Sequence, residues 1–319
     1  MARGIGELNL IRELLPDWLA VVFALLTQLG DLWFLVLLWG SLYWLGRAEQ
    51  DDIATVGGLS LAGVGLNRGL KAVFGLPRPA QLPLEPDSLP WLLQSVWELT
   101  TSVSSAGFPS GHATNSTVVY FGLACVLAVG TRRRRLAAAG LLAGTVSLTR
   151  VALGVHFLVD VVAGFFLGLG VLVVGLQGFA NRAIDRPTLA FALAVLTGLF
   201  NVIASNRAFY SLVVLGGSVG AFAGWQGVLF VRGLLGTDRP STGRLPTALH
   251  ASLLGLAMAS LLVSLLVSAP FTAPAYAVAG VTGFAVATVV LVPPLRHSAR
   301  LGRVFTAARF WLRARWPQL

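Results

Sequence analysis

Residues 157–178 read FLVDVVAGFFLGLGVLVVGLQG, an apolar run broken by a single charge, Asp160. As a helix rising 1.5 Å per residue, a run of this length reaches about 30 Å, the thickness of a bilayer's hydrocarbon core. A carboxylate one turn inside such a run costs a few kcal/mol on insertion, so Asp160 marks either a function or a buried partner. The rest of the chain repeats the apolar pattern. Of its 319 residues 56% are hydrophobic and 11% charged, and mean hydropathy is +0.79. An average soluble domain is roughly a quarter charged, so an ordinary soluble enzyme is excluded. The apolar runs predict helices near 30–46, 53–74, 112–130, 136–154, 157–178, 188–206, 209–231, 248–268 and 271–294. The expected fold is all-α, a polytopic transmembrane bundle of about nine spans. Residues 17–29 are apolar but short, and Gly30-Asp31 breaks the run before Leu32, so an interfacial or re-entrant segment is expected there. Arg3 precedes no compact apolar stretch ending in small residues, so no cleavable signal is expected.

Charge orients this bundle. Only Lys71 among the 23 basic residues is a lysine, and most arginines sit in short stretches between apolar runs. That is a topology signal rather than a nucleic-acid face, and no nucleic-acid partner is expected. Arg47, Arg132 to Arg135, Arg182 and Arg186, Arg232, Arg239 and Arg244, and the arginines after residue 295 fall on one side of a nine-span bundle. The positive-inside rule makes that side, with the C-terminus, cytoplasmic. The opposite face receives the 75–111 loop, the 154–157 connection and the 207–208 turn. One cysteine, Cys125, excludes an internal disulfide and any Cys-based metal site.

Three segments on that opposite face hold residues that composition does not explain. They are Lys71–Pro79 (K-A-V-F-G-L-P-R-P), Pro109-Ser110-Gly111-His112, and Thr149-Arg150 continuing to His156 and Asp160. Lys71, Arg78 and Arg150 are cations, and arginine grips phosphate oxygens in a forked geometry. Ser110 and Gly111 stand at the mouth of a helix, where free N–H groups favour an anion. The four-residue spacing of His156 and Asp160 puts them on one helix face, where a carboxylate can fix an imidazole tautomer and leave the other nitrogen free to attack. His112 is suited to protonate a leaving oxygen. Singly, each residue has an ordinary reading: Arg78 and Arg150 as snorkelling helix ends, His112 as an interfacial polar residue, Pro109 and Gly111 as loop punctuation. Those readings do not explain all of them together, in order, on one face.

The ordered motifs K-x6-R-P, P-S-G-H and (S/T)-R-x5-H-x3-D resemble the signature segments of the type 2 phosphatidic acid phosphatase superfamily, over about residues 17–180. The departure is Thr149, where the family most often has serine. The resemblance implies that His156 is a nucleophile forming a phosphohistidine, that Asp160 supports it, and that His112 is the general acid. It implies that Lys71, Arg78, Ser110, Gly111 and Arg150 bind the phosphoryl oxygens, with no metal and no cofactor. Membrane members act on lipid phosphates and polyprenyl diphosphates. The soluble vanadium haloperoxidases of the same superfamily are disfavoured by this chain's hydropathy. A phosphotransferase using the same phosphohistidine is the enzymatic alternative. A transporter or scramblase, with the cations as a gate, is a more distant one, because a gate needs no nucleophile.

The expected organisation is a phosphatase core over 1–186 with its N-terminal interfacial segment, a four-helix transmembrane extension over 187–295, and a basic amphipathic cytoplasmic tail over 296–319. Gly216, Gly220 and Gly224 recur every four residues in the extension, a small-residue face suited to close helix contact and to packing or homo-oligomerisation. The tail combines arginines with Phe305, Phe310, Trp311, Leu312 and Trp316, as a helix lying on an anionic leaflet would. In the 80–108 loop, prolines give way to Trp91–Leu99, read as a short surface helix bordering a lateral lipid entrance.

Overall fold

The computed structural model describes residues 16–46, 50–79, 106–177, 184–235, 247–267 and 274–296, with Gly4, Gly6, Gln94, Trp97 and Thr100 as isolated positions. All regular structure among them is helical. The elements are α1 (Asp17–Leu26), a 3-10 turn (Thr27–Gly30), α2 (Leu32–Leu45), α3 (Gln50–Phe74), α4 (Gly111–Val126), α5 (Arg132–Ala152) and α6 (Leu158–Leu172), which runs into a π-helical turn (Val173–Gln177). Then come α7 (Arg186–Ala204), α8 (Phe209–Leu235), α9 (Thr247–Val267) and α10 (Pro274–Arg296). Each apolar stretch predicted from the sequence is a helix, from α2 to α10.

Among the described residues four helices are by themselves long and apolar enough to cross a membrane: Leu158–Gln177, Arg186–Ala204, Phe209–Leu234 and Pro274–Pro293. Trp18–Gly30 and Leu32–Leu45 meet the same standard only as a pair, bent by 47°, where the sequence led us to expect a re-entrant or interfacial segment. The helices that fall short include α3, α4 and α5. Helices α3 and α4 are largely buried, and their inward faces, with the buried end of α5, carry Asn67, Lys71, Thr114, Asn115 and Arg150. The exposed start of α5 adds Arg132 to Arg135.

Contacts between helix ends give the running direction of each element. Asp31, before α2, lies against His112 at the start of α4, while Tyr43 near the end of α2 donates to Val290 O in α10 at 2.7 Å. Helix α7 runs parallel to α3, its Ala190 meeting Gly58 and its Thr197 and Gly198 meeting Gly65. Arg232, at the far end of α8, returns to Asp51 at 3.1 Å, and Arg186 lies 4.0 Å from Asp52. Successive helices from α2 to α10 therefore alternate in direction. The C-terminal ends of α3 and α5 and the N-terminal ends of α4 and α6 meet at one level, with Asp51, Asp52, Arg186 and Arg232 at the opposite end of the bundle.

The glycine stripe of α8 is occupied within the chain. A Cβ on Gly216, Gly220 or Gly224 would meet the backbone of Ala279, Gly283 or Ala287 on α10, so the two helices cross with their backbones almost in contact. Trp225 is fully buried beside Tyr43, Phe191 and Val290, which ties the extension to α2 and α7. The basic tail lies outside the described residues. So does most of the 80–108 loop. Of its described positions Trp97 is 1% exposed and packs on Ala20, Ala24, Leu153 and Val155, which makes that tryptophan an inward anchor.

Candidate active site

The α5–α6 connection supplies the centre of the site. Its backbone turns tightly: the N–H groups of Val155 and His156 both donate to Arg150 O at 3.2 Å, which fixes His156 just ahead of α6. Asp160 stands in the first turn of α6 and accepts from the Phe157 N–H at 3.1 Å, a helix-capping contact. The same oxygen lies 3.4 Å from Nδ1 of His156, with the two side chains 1% and 0% exposed. The sequence spacing suggested one helix face; the structure places His156 in the turn and only Asp160 in the helix.

On the other side of the ring, Arg78 Nη1 donates to His156 Nε2 at 2.9 Å and to Val155 O at 2.9 Å. A guanidinium can only donate. Nε2 therefore carries the lone pair, and the proton sits on Nδ1, facing the Asp160 carboxylate. Burial and then the Arg78, Arg150 and Lys71 cations and His112 hold the imidazole's pKa well below its ordinary value. The ring is neutral, with its basic nitrogen turned toward the cations.

Around this nitrogen the other segments close. Lys71, at the end of α3, donates to Ala106 O at 2.7 Å. The Ser110 N–H donates to Asp160 O at 2.8 Å, joining the Pro109–His112 turn to α6. Ser110 is the N-cap residue of α4, yet its hydroxyl makes no capping bond. Its Oγ is buried without a partner, and so is Nε of Arg150, whose side chain is 1% exposed. The remaining Arg150 nitrogens donate to Thr27 Oγ1 at 3.2 Å and Thr100 O at 3.3 Å. A buried guanidinium nitrogen and a buried hydroxyl left open are costly unless an anion meets them. With the free N–H groups at the start of α4, they form a cradle for a phosphoryl-sized anion.

All eight site residues read from the sequence thus gather at one end of the bundle: Lys71, Arg78, Ser110, Gly111, His112, Arg150, His156 and Asp160. Thr149 does not join them, because its hydroxyl bonds back to Val146 O at 2.7 Å. Three neighbours escaped the sequence reading. Asn67, 3% exposed, donates to Pro109 O at 3.2 Å and Thr114 Oγ1 at 3.1 Å and so braces the Pro109–His112 turn. Thr27 accepts from Arg150. Asp31 Oδ1 lies 2.8 Å from His112 Nε2. Only Asp31 left a trace, as a charge within an apolar run.

The PAP2 superfamily model matches residues 53–184. Phosphatidylglycerophosphatase B of Bacillus subtilis (strain 168) is 39% identical over 85 residues, 25% of this chain and 41% of that protein. The chain thus spans less than half the length of that curated relative. No solved structure matches it significantly.

Proposed function

We propose that this chain, whose residues 53–184 are a PAP2 superfamily domain, is an integral membrane phosphatase that hydrolyses a lipid phosphate or polyprenyl diphosphate. The observation that carries the reading is the neutral, buried His156, held between Asp160 and Arg78 beside the cradle formed by Ser110 and Arg150. Substrate phosphoryl oxygens take the donors of Arg78, Arg150, Lys71, Ser110 and the start of α4, which frees Nε2. Nε2 attacks phosphorus; the P–N bond forms as the P–O bond to the leaving group breaks, and His112 gives that oxygen its proton. Water then attacks the phosphohistidine, His112 takes the proton from water, and the P–N bond breaks to release inorganic phosphate. Asp160 stabilises the positive charge that the ring carries in between.

Three cations and a helix N-terminus meet the charge of the phosphoryl group, and this supports a reaction without a metal. A lipid substrate is supported by the rim: Val73, Phe74, Leu158 and Val159, next to Arg78 and His156 in the chain, are all 44% exposed or more, an apolar edge beside the phosphoryl cradle. The alternating helices support about nine spans, and the arginines opposite the site support an extracytoplasmic active site with a cytoplasmic C-terminus. The name of the Bacillus subtilis relative agrees with the substrate class.

The test is phosphate release by the purified protein in detergent, across lipid phosphates and polyprenyl diphosphates, with chelator present. Turnover with chelator, inhibited by vanadate, is expected. No phosphate release from any lipid, or activity that returns only with magnesium, refutes the reading.

A further inference from the structure

The 3-10 turn before α2 packs against the segments that carry the site. Thr27 Oγ1 accepts from Arg150 at 3.2 Å. Gln28 donates to Thr100 Oγ1 at 2.9 Å, and Leu29 O accepts from Tyr120 at 2.7 Å. Gly30 passes so close to α5 that a Cβ would strike Val146 and lie 3.2 Å from Cδ2 of His112. The segment ends on Asp31, whose Oδ1 is 2.8 Å from His112 Nε2, with side chains 27% and 21% exposed.

Asp31 has another use open to it, and does not take it. It is the N-cap residue of α2, a position where an aspartate normally accepts from the helix's first N–H groups and contributes about 1 kcal/mol. Its side chain makes no such bond. The carboxylate is turned out of its own helix and toward an imidazole contributed by α4. A carboxylate there attracts the Nε2 side of the ring and so fixes its orientation, which leaves Nδ1 as the nitrogen able to pass a proton.

We propose that Asp31 is a positioning residue for the general acid: it orients His112, and the N-terminal segment is thereby part of the catalytic machinery. This rests on the phosphatase reading above and adds a requirement for a specific proton transfer.

The test compares kcat/KM for two phosphate monoesters of matched chain length, one leaving as an alkoxide and one as a nitrophenolate. The alkoxide must be protonated as it leaves; the nitrophenolate need not be. In Asp31→Asn and Asp31→Ser, turnover of the alkyl ester should fall about 10–100-fold, and that of the nitrophenyl ester by less than about 3-fold. The ratio of the two within one preparation does not depend on the fraction of protein folded. In a His112→Ala background, Asp31→Asn should cause no further loss on either ester. Equal loss on both esters, no loss on either, or a full additional loss in the His112→Ala background overturns the proposal. If the wild type hydrolyses neither ester, the phosphatase reading itself fails, and that outcome is distinct from the others.

Discussion

Arg78 Nη1 sits 2.9 Å from His156 Nε2, on the one nitrogen of that ring that Asp160 does not face. On the phosphatase reading proposed above, the guanidinium therefore stands where phosphorus is to arrive. It fixes the tautomer, because a group that only donates forces Nε2 to be the acceptor. It also tunes the base, because a cation at this distance disfavours protonation. On that reading an arriving phosphoryl group offers the guanidinium better acceptors than an imidazole, and substrate binding would itself expose the nucleophile.

This relationship predicts the titration of His156. Burial and neighbouring cations hold its pKa well below the ordinary 6.5. With the chain's 4 histidines labelled, nitrogen NMR should show His156 as the neutral Nδ1–H form as pH falls through that value. Arg78→Ala removes one repelling cation and should move the titration upward, toward 6.5. A wild-type His156 that titrates at or above its ordinary value would contradict the arrangement.

The phosphohistidine is a second expectation. His156→Ala should abolish turnover in a protein that stays folded, and the wild type should yield an acid-labile, base-stable phosphoenzyme on quenching. Asp160→Asn keeps the shape of the side chain and an acceptor for the Phe157 N–H, but loses the charge that stabilises the imidazolium. Its kcat should drop by about 10²–10⁴, as when an orienting carboxylate is removed from a comparable dyad. Full activity in His156→Ala, or in Asp160→Asn, would refute the assigned roles.

The site could be read from the sequence further than the bundle around it. Lys71, Arg78, Ser110, His112, Arg150, His156 and Asp160 lie near helix ends, and counting alternating helices is enough to bring those ends to one level. Asp31 was beyond such counting. It follows a break in an apolar run, and nothing local says that its carboxylate leaves its own helix for His112. Asn67 was hidden for a related reason: a polar residue in the middle of α3 reads as reduced hydropathy, not as a brace for another segment. The burial of α3 was equally inaccessible, since its glycines pack on α7, a helix distant in the chain.

The glycines of α8 give a prediction about stability rather than chemistry. Gly220 faces the backbone of Gly283 so closely that a Cβ could fit only if a helix moved. Gly220→Val should destabilise the fold by about 1–3 kcal/mol or more, the usual cost of overpacking. Gly255 and Gly144, which have open space around the Cβ position, should accept alanine with little change. Thermal unfolding in detergent measures the difference. A Gly220→Val protein as stable as the wild type, yet altered in oligomeric state, would assign the stripe to contacts between copies.

The final expectation links topology to substrate. If the arginines opposite the site are cytoplasmic, the cradle opens at the level of the outer headgroups, where a lipid phosphate can present its charge while its chain stays in the bilayer. The exposed Val73, Phe74, Leu158 and Val159 then face that chain beside Arg78 and His156. Short soluble esters forgo the chain's contribution to binding and should be turned over more slowly. In a Cys125→Ser background, Ser88→Cys should react with an impermeant thiol reagent in intact cells, and Arg133→Cys only after lysis. The reverse pattern would invert the bundle and put the site inside. External labelling of Ser88→Cys together with faster turnover of water-soluble esters than of lipid phosphates would keep the orientation and exclude the lipid substrate. The apolar rim would then be no more than the side of the protein that lies against the membrane.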